Sequence, residues 1–193
     1  MNKSMSNNII EITLPLSNDT AQALVAGDVV SLSGVMYSAR DAAHKKLVDL
    51  LDAGEQLPIE IDGQTIYYMG PSPAKPGSVI GSAGPTTSYR MDAYAPTLIA
   101  IGLKGMVGKG ERGANVVDAM RQHGAVYFAA TGGAAALISQ SIIEAEIVAF
   151  PELGPEAIRR LVVKDFQVIV AQDAHGGNLY KDGVERYKLP MTA

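Results

Sequence analysis

The chain has 193 residues, a formal net charge of −4 and no cysteine. Its length suits one domain with a full core, and its acidic balance argues against nonspecific binding to nucleic acid or an anionic membrane. Without thiols, disulfides, thiol catalysis and thiolate ligation by this chain are excluded.

No apolar run approaches the roughly 20 residues that span a bilayer. Residues 1–8 are polar, with one lysine and no apolar centre, unlike a secretory signal. They are expected to form a flexible tail on a cytoplasmic protein. Residues 8–16 alternate loosely as a strand, and residues 28–35 form a second, β-branched run closed by Gly34. Over residues 39–51, Ala43, Leu47, Leu50 and Leu51 recur at three- and four-residue steps, which predicts a helix begun near Arg40-Asp41. A short strand follows at 65–69, then a proline-rich loop at 71–76 leading into a turn at Gly84.

Beyond that turn the pattern predicts a helix at 90–101, a strand at 105–107, a helix at 113–123 stopped by Gly124, and a strand at 125–129. Gly132-Gly133 opens a helical segment reaching about residue 142. A strand at 145–149, a short helix at 155–161 and a strand at 166–171 complete the order, ending in a turn at 175–178. Strands alternating with helices predict an α/β fold, with a mixed, largely parallel sheet or open barrel flanked by helices. Residues 9–180 read as one domain and 181–193 as a C-terminal extension.

The chemistry concentrates in Gly84-Pro85-Thr86-Thr87-Ser88-Tyr89-Arg90, where two threonines follow a rigid Gly-Pro pair and an arginine lies about one turn on. Thr86 or Thr87 could simply cap a helix. Arg90, however, suits planar, bidentate recognition of a carboxylate. Arg40 stands at a predicted strand-to-helix junction, the place where ligands of α/β folds collect. Asp41 reads as a favourable charge at a helix start, and Lys45 and Lys46 as a solvated face. Lys109 ends a strand on a glycine loop, but Gly110 follows it, so the phosphate-loop pattern is absent. Thr131-Gly132-Gly133 permits close approach by a ligand or another subunit, or simply close packing. His44, His123 and His175 show no metal-ligand spacing.

Together GPTTSYRMDAY (84–94), VGKGER (107–112), HGAVYFAATGGAAAL (123–137), FPELGPEAI (150–158) and SARDAAHKKL (38–47) resemble the β subunit, or C-terminal domain, of class I fumarate hydratases and L-tartrate dehydratases. The resemblance runs from about Leu14 to Asn178. It implies a swivelling β/β/α domain and a hydro-lyase that interconverts a 2-hydroxy dicarboxylate with its unsaturated product, as in the tricarboxylic acid cycle. It also implies a [4Fe–4S] cluster ligated by a partner α subunit and not by this chain. Carried over by position, Arg40, Thr86, Arg90 and Lys109 match the family's substrate pocket, and Thr86 its proton-transfer hydroxyl. Fumarate and L-malate are the first expectation, from the stretch at 131–142 and from FPELG. The alternatives are an L-tartrate dehydratase β subunit and a non-catalytic anion-binding domain of the same fold. No nucleic acid or membrane partner is expected, and the chain alone is expected to self-associate through a small-residue surface around residues 131–136 and the Gly84 turn.

Overall fold

The structure, a computed structural model, describes residues 9–189; the expected tail at 1–8 lies outside them. Its strands are β1 (Ile10–Leu14), β2 (Val29–Ser38), β3 (Thr65–Tyr67), β4 (Gly105–Gly108), β5 (Val126–Ala129), β6 (Ile142–Ala149) and β7 (Ile158–Gln172). Its helices are α1 (Asn18–Ala23), α2 (Asp41–Asp52), α3 (Ala95–Ala100), α4 (Ala114–His123), α5 (Ala135–Ile138) and α6 (Leu179–Tyr187).

The two longest strands, β2 and β7, make an antiparallel ribbon from Val29↔Ile169 to Ser38↔Arg159. On its other edge β2 takes β1 and then, at its end, β3, both parallel. The other edge of β7 takes β6 and then β5, both antiparallel. Parallel pairs β3–β4 and β4–β5 complete a closed ring of five strands, β2-β3-β4-β5-β7. The sheet is therefore mixed, and where a largely parallel sheet or an open barrel was expected it closes on itself, because β7 pairs with both β2 and β5.

Alternation along the strands decides which side chains fill the barrel. Val30, Leu32, Met36, Tyr67, Val107, Val126, Phe128, Phe166, Val168 and Val170 form one buried cluster on the inner face. Outward-facing Ile66, Tyr68, Met106 and Tyr127 pack in a second cluster with Ala43 and Leu47 of α2, Leu98 and Ile99 of α3, and Val116 and Met120 of α4. β3 is buried on both sides, which explains why its short run reads as continuously apolar.

Four expectations are corrected. Residues 90–101 are not one helix: a 3-10 turn at Ser88–Met91 is separated from α3, whose N-terminal turn holds Pro96. The segment after Gly133 makes only α5 and a 3-10 turn at Ser139–Ser141 before β6 begins at Ile142. Residues 155–161 are not one helix: a 3-10 segment at Pro151–Glu156 ends there, and β7 starts at Ile158 and pairs with β2 and β6 on its two edges. Gly34 does not close β2; it sits at φ 120° at a register shift within the strand, and a Cβ there would meet the Leu14 carbonyl oxygen at 2.8 Å.

Candidate functional site

The parallel strands β2, β3, β4 and β5 end on the same rim of the barrel, and the loops that leave them carry the polar side chains singled out in the sequence. Arg40 follows β2 and precedes α2; its side chain makes no cap bond. His44, one helical turn on, donates from Nδ1 to the Arg40 carbonyl at 2.9 Å, and its backbone N–H donates to the same oxygen at 2.9 Å. A carbonyl only accepts, so this bond sets the His44 tautomer. Burial lowers the His44 pKa to about 4, although the Arg40 carbonyl pulls the other way, and the ring stands edge-on to Tyr68 at 5.2 Å. His44 is thus a neutral brace under Arg40, which gives the Arg-Asp-x-x-His spacing a mechanical reason.

Thr86 lies between two isolated bridges, Pro85 with Met69 and Thr87 with Lys109, just beyond the ends of β3 and β4. Its N–H donates to the Tyr68 carbonyl at 2.6 Å and its carbonyl accepts from the Lys109 N–H at 3.2 Å. Thr87 bridges Lys109 in parallel, and the Ser88 N–H donates to the Lys109 carbonyl at 2.9 Å. Ser88 is fixed from below by a 2.6 Å hydrogen bond with the buried Tyr127 hydroxyl. This close approach requires Gly108, since a Cβ there would meet Ser88 Oγ at 2.3 Å. The residue before the 3-10 turn is Thr87, and its side chain makes no cap bond. The capping reading of Thr86 therefore has no support.

Arg90 and Lys109 are exposed, Arg40 and Thr86 half-buried. Gly132 brings the loop after β5 beside Lys109, with its would-be Cβ 3.8 Å from Lys109 Cδ. Gly84 packs on Ala135, whose carbonyl accepts from the Ala83 N–H at 3.0 Å. The four candidate residues thus meet on one rim, Arg40 and Arg90 through Asp41, Thr86 and Lys109 through the backbone. A groove of about 580 Å³ is lined instead by Thr131, Leu137, Ile143 and Lys164 and by none of the four candidates. Leu137 is exposed, as are Thr131, Gly132, Gly133 and Ala136.

Sequence reasoning gave no site role to the carboxylates and the buried cation behind the rim. Asp41 Oδ2 accepts from Arg90 at 3.0 Å, and Asp41 Oδ1 and Glu156 Oε1 face Arg40 at 3.5 and 3.2 Å. Deeper, Arg112 is buried with Nε on Asp92 at 2.7 Å and Nη1 on Tyr68 at 3.0 Å, between the Tyr68 and Tyr127 rings. Burial pushes both phenols up, so they stay protonated, and the Tyr68 hydroxyl oxygen accepts from Arg112. Asp41 lies in SARDAAHKKL, Asp92 in GPTTSYRMDAY, Arg112 in VGKGER and Glu156 in FPELGPEAI, but only the long-range contacts reveal their roles.

The chain's donor set does not fit an iron–sulfur cluster, whose ligands are mostly thiolates: there is no cysteine. Among the described residues no three His, Asp or Glu side chains converge as a metal site, and no helix is long and apolar enough to cross a membrane.

A family model described as Fumarase C-terminus matches residues 1–183. The anaerobic class I fumarate hydratase of Escherichia coli K12 is 42% identical over 81% of this chain and 29% of its own length. A provisionally named class I fumarate hydratase of Geobacillus stearothermophilus is 37% identical over 94% of this chain and 35% of its own length. A provisionally named L(+)-tartrate dehydratase subunit beta of Methanocaldococcus jannaschii is 38% identical over 86% of this chain and 89% of its own length. The chain spans about a third of the fumarate hydratases that it matches and most of the β subunit.

Proposed function

Since the chain belongs to the Fumarase C-terminus family, we propose that it is the β subunit of a hydro-lyase that adds water to or removes it from a C4 dicarboxylate, fumarate and L-malate first. The observation that carries the reading is the rim itself: three cationic side chains and one hydroxyl, from loops after β2, β3 and β4, at the carboxyl ends of parallel strands. Arg40 and Arg90 present forks that match carboxylate geometry, and Lys109 adds a compact charge. Together they neutralise a dianion and the further negative charge that builds on the substrate as its C3 proton leaves. In this reading the Thr86 hydroxyl is the group that exchanges that proton. A threonine is a poor base at its normal pKa, so the reading places the assisting carboxylate on a partner α subunit. The [4Fe–4S] cluster belongs to the same partner.

Tartrate is the second reading of the substrate, favoured by the near-complete span of the Methanocaldococcus β subunit. Its extra hydroxyl changes nothing in how the two carboxylates are held by Arg40, Arg90 and Lys109. The swivelling-domain description and partner-dependent activity belong to the same proposal, as does self-association of the chain alone through the surface around residues 131–136 and the Gly84 turn.

The test is reconstitution. The chain purified alone is expected to be colourless and inactive on fumarate, L-malate and L-tartrate; anaerobic co-expression with a cluster-bearing α subunit is expected to give hydration of fumarate. Iron–sulfur absorbance or turnover in the isolated chain, or a cluster-loaded complex inert on all three acids, overturns the reading.

A further inference from the structure

The geometry points to Asp41 as a positioning residue that holds Arg90, and through it the spacing of the two guanidinium groups, ready for one dicarboxylate; this rests on the proposed function. A single carboxylate spans two loops from different parts of the chain: its Oδ1 faces Arg40 Nη2 at 3.5 Å and its Oδ2 accepts from Arg90 Nη2 at 3.0 Å. Asp41 is itself fixed. It is the first residue of α2, whose first turn is tied down by the two His44 bonds to the Arg40 carbonyl and by burial of Ala43 and Leu47.

The two arginines depend on it unequally. Arg40 has a second holder in Glu156, whose Oε1 lies 3.2 Å away and whose Oε2 accepts from the Ala42 N–H at 3.1 Å. Arg90 lies on a 3-10 turn with 42% of its side chain exposed, and among the described residues it pairs with Asp41 and no other carboxylate. A long side chain with free rotamers must be ordered when it binds a ligand. Ordering it beforehand lowers that cost.

Two effects of Asp41 on a dianion oppose each other, and the sign of a measurement separates them. As a bare negative charge it repels the ligand, so its neutralisation would tighten binding. As a brace it pre-orders Arg90, so its loss weakens binding. Charge-assisted hydrogen bonds are strong and geometry-dependent, and Asp41 is already shared between two cations, which leaves little of its charge uncompensated. The brace therefore wins.

The experiment uses the complex of this chain with its α subunit, as wild type, D41N, R90A and the double variant. Succinate serves as the probe, because it carries both carboxylates but neither the double bond nor the hydroxyl needed for turnover. Calorimetry is expected to show succinate about 10-fold weaker in D41N, a factor of ten being about 1.4 kcal/mol. KM for L-malate should rise similarly while kcat changes less than about threefold, the split expected when binding geometry and not chemistry is lost. In the R90A background D41N should change succinate binding by less than about twofold, since coupled residues are not additive. D41E, which keeps the charge, should recover part of the affinity; if D41N does not fold, D41E with and without R90A gives the same cycle.

Tighter or unchanged succinate binding in D41N, or losses that simply multiply in the double variant, overturns the inference. So does a lowered melting temperature with wild-type KM, which is the mark of a structural role. A wild-type complex that binds succinate but hydrates or dehydrates no dicarboxylate overturns the functional reading instead, and leaves the brace measurable by succinate alone.

Discussion

Thr86 on the rim and the buried His44 beneath it have distinct expected failures. Thr86→Ala removes the hydroxyl and leaves the backbone bonds of residue 86 to Tyr68 and Lys109 in place. In the reconstituted complex it should lower kcat by about 10²–10⁴-fold with KM nearly unchanged; turnover at the wild-type rate would sink the assignment. His44 makes a second test, with pH as the lever. Its pKa is lowered from 6.5 to about 4 by burial, so the unfolded chain takes up a proton below about pH 6.5 that the folded chain refuses until near pH 4. The stability it contributes is full above 6.5 and is lost as pH falls toward 4, about 2 kcal/mol of it between pH 7 and pH 5. Urea midpoints at those two pH values should show His44→Gln losing less than the wild type by about that amount; equal losses would mean that the ring is already charged in the fold. Arg40, Thr86, Arg90 and Lys109 stand out in the sequence as candidates because glycines, prolines and a recognisable motif surround them. Glu156, Arg112 and Tyr68 stayed hidden, since a buried charge is visible only through the partners that bury it, here Asp92 twenty positions away and Tyr68 farther still.

At the scale of elements, patterns that repeat locally were readable and those decided by pairing were not. Helix α2 follows its apolar spacing, and α4 ends at Gly124 in the left-handed region at φ 68°. Residues 155–161, by contrast, open with a proline that suits a helix start, yet Ile158 and the Val162-Val163 pair that follows are β-branched and both neighbouring edges are waiting to be paired. Tertiary pairing outweighs so weak a local preference. Gly34 shows the same limit, for its role depends on β1. With φ at 120° and the Leu14 carbonyl 2.8 Å from a would-be Cβ, Gly34→Ala forces strain into the strand that leads to Arg40. A loss of about 1–3 kcal/mol is expected, read as a lower urea midpoint with an unchanged slope; a neutral effect would show that β1 can move aside.

For the molecule as a whole, closure of the barrel matters most. Val29 pairs with Ile169, so the ring that positions every rim loop is joined across most of the chain's length. While the protein is being made, β2 leaves the ribosome long before the strand that covers its edge, and until residue 172 is out its main-chain groups face solvent, open to pairing with another nascent chain. Contacts so distant along the chain also make ring closure slow. A chain stopped at residue 157, lacking β7 entirely, should therefore show no cooperative unfolding transition and should associate. Synthesis speed and chaperone supply would then govern the yield of this protein more than the strength of its finished core does.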